Sequence, residues 1–146
     1  AAERGILTVL RLWNRGHDGG LNEETEKLMH EKFPEEWKVS SRGARLRHRL
    51  HLEWGDRFEW PDESAEIKGE KFFCYGLADQ FGILADGTVV PCCLDSDGVI
   101  SLGNIFREDI GAVLASERAK NMVDGFRCGR ASEELCKRCG YAQRFV

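Results

Sequence analysis

Seventeen residues separate Cys74 from Cys92, and two separate Cys136 from Cys139. A fold that brings the two pairs together presents four thiolates to one centre, and four soft sulfur donors suit an iron–sulfur cluster or zinc. The C-x2-C spacing puts two sulfurs in a single turn, where backbone N–H groups can offset thiolate charge. Between Cys74 and Cys92 lies Asp86-Gly87, a tight-hairpin signal because glycine accepts positive φ without strain. Its two strands, Phe81 to Ala85 and Thr88 to Val90, would return the flanking cysteines to one end. Cys93, next to Cys92 in an extended strand, would point the opposite way and reads as a packed core thiol. Cys128, with seven residues between it and Cys136, could act as a spare ligand, but the set of four is complete without it.

The elements that must position these thiols belong to a chain of 146 residues, 42% hydrophobic, with a formal net charge of -4. That length and apolar content support a modest core. The acidic balance argues against a non-specific nucleic-acid binder, which neutralises phosphates with Lys and Arg. The longest apolar run, Ile6 to Leu10, is far shorter than a membrane helix needs, and no charged-then-apolar leader opens the chain. These features predict a cytoplasmic protein without membrane or nucleic-acid partners. Six cysteines could pair as disulfides, but without an export signal C-x2-C reads as metal-binding or redox-active.

Composition divides the chain near Lys68 to Glu70, giving segments 1–69 and 70–146, and all six cysteines lie in the second. In the first, Ile6 to Trp13 is nearly continuous in apolar residues and predicts a strand buried on both faces, as in a parallel sheet. Asn22 is placed to cap a helix that ends before Pro34. Leu46 to Trp54 alternates apolar and polar residues and reads as one further strand. Strand, helix, strand is a crossover unit, yet one helix cannot cover both faces of its sheet. The chain thus reads as a piece of a larger sheet, and its start at Ala1 fits a trimmed sequence. In the second segment, a helix from about Glu108 turns Ile110, Val113 and Leu114 inward. Ser116 caps its continuation, which buries Met122, Val123 and Phe126.

The spacing Cys74-x12-Gly87-x4-Cys92 resembles the opening C-x9-15-G-x4-C signature of the SPASM and twitch auxiliary domains of radical S-adenosylmethionine (SAM) enzymes. The run Phe81-Gly82-Ile83-Leu84-Ala85-Asp86-Gly87-Thr88-Val89-Val90-Pro91-Cys92-Cys93-Leu94-Asp95 is similar to that family. So are Leu102-Gly103-Asn104-Ile105 and Cys136-Lys137-Arg138-Cys139-Gly140-Tyr141. Leu10 to Asn14, Arg42 to Leu46 and Phe58 to Asp62 resemble late barrel strands and linker of such enzymes. The resemblance implies an α/β (α+β overall) chain, in which a partial strand-helix-strand piece of a radical SAM barrel precedes a β-hairpin plus helix auxiliary-cluster domain. It implies one auxiliary 4Fe-4S cluster on Cys74, Cys92, Cys136 and Cys139, serving electron transfer or structural support. A full SPASM domain continues C-x2-C-x5-C-x3-C, but Phe145 stands where the next cysteine would fall, so a single cluster of the twitch type is expected. The catalytic C-x3-C-x2-C motif is absent from these residues, so SAM would be used only in a complete enzyme, and this chain alone should not cleave it. The implied partners are the rest of the barrel or the full-length parent, and a peptide or small-molecule substrate.

Two other readings compete: a zinc knuckle that staples the hairpin to the C-terminal turn, and a docking module that uses an exposed sheet edge. Arg45, Arg47 and Arg49, with His51, alternate along the Leu46 to Trp54 run. On one strand face they would hold a carboxylate or phosphate of cofactor or substrate, or else form ion pairs with the many glutamates. His17 and His30 read as exposed, and Trp13, Trp37, Trp54 and Trp60 as core and linker anchors.

Overall fold

The computed structural model describes residues 1–145, for Phe145 the backbone alone. It has mixed α/β structure in two compact units, Ala1–Arg57 and the chain from Phe58 onward. No helix among the described residues is long and apolar enough to cross a membrane.

The first unit contains strand β1 (Thr8–Arg15), helix α1 (Leu21–Lys32), and strands β2 (Lys38–Ser40), β3 (Gly43–Arg47) and β4 (Leu50–Asp56). Sheet order is β1-β4-β3-β2; β1 runs parallel to β4, and the other pairs are antiparallel. The crossover therefore links β1 to β4. The single strand expected over Leu46 to Trp54 is instead a hairpin, reversing at His48 and Arg49, where Arg49 adopts a φ of 59°. Leu46, Leu50 and Leu52 are buried and form the core with Ala44, Met29 and Trp37. The indole of Trp37 donates to the Phe33 carbonyl, and that of Trp54 donates to Glu26 at 2.7 Å. The first bond closes the connection after α1, and the second ties α1 to β4.

The expectation that Ile6 to Trp13 is buried on both faces is corrected. Among the described residues β1 is an edge strand paired only with β4, no residue of it is fully buried, and Ile6 and Leu7 precede it exposed. Helix α1 begins after Gly20, and Asn22 lies inside its first turn; its N–H bonds to the Asp18 carboxylate, which takes the capping role expected of Asn22.

In the second unit, β5 (Gly82–Ile83) and β6 (Thr88–Val90) form the expected hairpin, and a third strand, β7 (Gly103–Asn104), adds to it. Gly87 turns the hairpin at φ 85°. Helix α2 (Ile110–Leu114) is capped by Asp109, and α3 (Glu117–Arg127) by Ser116 as expected. The short helix α4 (Glu134–Lys137) follows. Val89, Ile100, Leu102, Val113, Met122 and Phe126 form the core, and Cys74, Cys136 and Cys139 pack against it.

Candidate metal centre

Each cysteine of the quartet is placed by a different device. Cys74 lies in a loop whose next residues reach the end of β6: Leu77 N–H donates to the Pro91 carbonyl at 3.2 Å, and Gly76 N–H points at Cys74 Sγ at 3.4 Å. Phe73 and Tyr75, on either side of Cys74, meet edge to face at 4.8 Å. Cys92 opens the turn after Pro91, where Asp95 N–H returns to its carbonyl at 3.3 Å. Cys136 sits in α4 and Cys139 one residue past that helix's cap, so the C-x2-C turn is a helix end.

All four thiols are partly buried and unpaired by disulfides, and every pair among them interacts electrostatically. Burial pushes the Cys74 thiol up against the opposing pull of Gly76 and Tyr75 N–H groups. Burial lifts Cys92 to about 11, opposed by Leu94 and Asp95 N–H groups and reinforced by Cys74 and Cys139. Cys136 is raised strongly by burial and then by its three cysteine neighbours. Cys139 is raised by burial, against Ala142 and Tyr141 N–H groups and the Lys68 ammonium. Without a cation these groups are neutral thiols. A bound metal centre would draw them to thiolates, and backbone N–H groups already face three of the four. This donor set fits a four-thiolate group. Among the described residues no three His, Cys, Asp or Glu side chains meet closely enough to hold a single ion, so the thiols share a site without converging on one point.

The chain at 58–70, whose first residues Phe58 to Asp62 resemble barrel linker in the sequence, straps the C-x2-C turn. Lys68 and Gly69 N–H groups both donate to the Lys137 carbonyl, Gly140 N–H donates to Glu59 O, and the Arg138 guanidinium donates to Ala65 O at 2.9 Å. A Cβ on Gly140 would lie 2.6 Å from Glu59 O, so the strap passes where only glycine fits. Two further residues escape sequence inspection. Asp95 is buried and accepts from Val99 and Ile100 N–H at 2.9 and 2.8 Å, closing the loop that follows Cys92. Arg118 binds Glu133, the residue that opens α4, through two bonds of 2.8 Å and also donates to Ser101 O. The Asp95-x3-Val99 loop has the form of a local side-chain-to-backbone turn, which was the available signal.

The leftover cysteines are both exposed. For Cys93 this corrects the packed-core expectation: the strand ends at Val90, and Cys93 stands in the turn after Pro91 rather than in extended chain. Cys128 is the C-cap of α3. Arg45, Arg47 and Arg49 do not share a face. A register shift between Arg45 and Arg47 turns Arg47 toward Glu35 at 2.6 Å and over the Phe33 ring, and Arg49 occupies the hairpin turn. The ion-pair reading therefore describes Arg47. Exposed His30 stacks on Trp37 at 3.6 Å, and Trp60, in the linker segment, is 56% exposed with its ring tilted against Phe58.

Comparison with curated proteins and with solved structures returned no match. Residues 74–140 match the family model of SPASM, an iron-sulfur cluster-binding domain, so all four cysteines of the quartet fall within the part of the chain that is similar to a cluster-binding domain.

Proposed function

We propose that Cys74, Cys92, Cys136 and Cys139 hold one auxiliary 4Fe-4S cluster, and that the chain is the cluster-bearing part of a radical SAM enzyme. The observation that carries this reading is the mutual interaction of these four thiols in one partly buried site inside the matched segment. When bound, such a cluster supplies electron transfer or structural support, with one cysteine for each iron and no open iron for substrate. The protein's own contribution is positional. The Asp95 loop holds the turn after Cys92, the Arg118–Glu133 pair holds the start of α4, and the 58–70 strap holds Lys137 to Gly140. Phe73 and Tyr75 flank Cys74 with aromatic surface. SAM cleavage would fall to a C-x3-C-x2-C motif that these residues do not contain, and the substrate would be a peptide or a small molecule met by the whole enzyme.

Anaerobic purification followed by metal analysis and visible absorbance tests this. About four irons per chain with a broad thiolate-to-iron band are expected. A colourless, zinc-loaded protein would mean that the quartet is a structural staple instead.

A further inference from the structure

We infer that the sheet face of the first unit opposite α1 binds a small ligand through a phosphate group. The strand register sets Lys38 beside Arg45, Arg45 beside His51, and His51 beside Val9, a single cross-strand row over four strands. Adjacent like charges at this spacing destabilise a sheet unless something offsets them. The neighbouring row does offset its charge: Glu53 pairs with Arg11 at 2.8 Å and is thereby engaged. Among the described residues no ion pair reaches Lys38, Arg42, Arg45 or His51. These side chains line a groove of about 490 Å³, within the range of small-ligand sites.

The groove is built rather than incidental. Ser40 Oγ donates to the Gly43 carbonyl at 3.0 Å and accepts from Arg42 N–H, fixing the β2–β3 turn that carries Arg42. Gly43 lets β3 approach β4 closely beside the groove, since a Cβ there would collide with the Leu52 carbonyl. Leu7 and Val9 supply an apolar wall at one end. Two guanidiniums and an ammonium carry three positive charges, enough to neutralise a phosphate dianion even with Glu53 lining the same groove, and the Arg forks match its oxygens in geometry; a lone carboxylate would leave most of these donors unused. The apolar wall suits the body of a phosphate monoester.

The test is titration of the full chain with inorganic phosphate, phenyl phosphate and benzoate, followed by amide and His51 ring NMR shifts. We expect saturable shifts over β2, β3 and β4 with both phosphates, tightest with phenyl phosphate, and at least tenfold weaker binding of benzoate. Arg45→Gln and Lys38→Gln should each weaken phosphate binding about tenfold. Arg47→Gln, whose side chain faces Glu35, should leave it unchanged. A native-like amide spectrum certifies each variant as folded; if Arg45→Gln fails that check, Lys38→Gln alone decides. Absence of saturable shifts, equal binding of benzoate, or equal loss in Arg47→Gln would each overturn the proposal.

Discussion

In the unit Ala1–Arg57, order runs through a hydrogen-bonded ladder: four strands, the longest of eight residues, close over Leu46, Leu50 and Leu52. From Phe58 onward the strands are two or three residues long, and loops, caps and side-chain bonds position everything that matters. A sheet with its own ladder needs nothing bound in order to persist, although one face carries unbalanced positive charge. The cysteine unit sets three of its four partly buried thiols against its core, and bringing all four to the thiolate form would set like charges against one another, so a bound cation centre would stabilise its geometry. The two units should therefore answer differently to the same perturbations.

The largest separation should come from Leu52→Ala. Leu52 is 1% exposed, and truncation in such a core costs about 2–5 kcal/mol. Hydrogen exchange should show lost protection across β1, β3 and β4, while protection from Phe58 onward is retained. Loss in both units together would erase the contrast. Next comes Asp95→Ala, which removes a buried acceptor from two backbone donors, and the one at buried Ile100 would cost about 1–3 kcal/mol if left unsatisfied. Denaturant unfolding should locate that loss in the cysteine unit, with exchange at Val99 and Ile100 accelerated first. Gly140→Ala sharpens the role of the strap. The added Cβ must displace Glu59 backbone, at a cost of about 1–3 kcal/mol. Exchange of the Lys68 and Gly69 amides, which bond to Lys137 O in the strap, should quicken while the β5–β6 hairpin stays protected. The smallest effect is expected of Arg47→Gln on a solvent-exposed ion pair, where the melting curve should hardly move.

Much of the cysteine unit is legible in the sequence because its signals are local. Asp86-Gly87 marks the turn, Ser116 marks the cap, and the cysteine spacing marks the candidate site. The first unit hides its main feature for a specific reason. A two-residue turn at His48 and Arg49 would by itself reverse which residues face inward. The register shift between Arg45 and Arg47 restores the parity, so Arg45 pairs with His51 and alternation runs unbroken through a chain reversal. Periodicity cannot reveal such a turn. Residues 58–70 are hidden differently, since their role rests on backbone bonds to Lys137 and Gly140 that no side-chain pattern encodes. Cys93 shows how one residue past Pro91 the extended-strand rule no longer holds.

The central claim is that one cluster rests on four particular cysteines out of six. Iron and acid-labile sulfide per chain, measured after anaerobic reconstitution of each single Cys→Ser variant, test it most directly. Cys74→Ser, Cys92→Ser, Cys136→Ser and Cys139→Ser should each lose most of their iron, whereas Cys93→Ser and Cys128→Ser should match the unaltered protein. Equal iron loss in Cys128→Ser and Cys136→Ser, or full iron retention in any variant of the quartet, would contradict it.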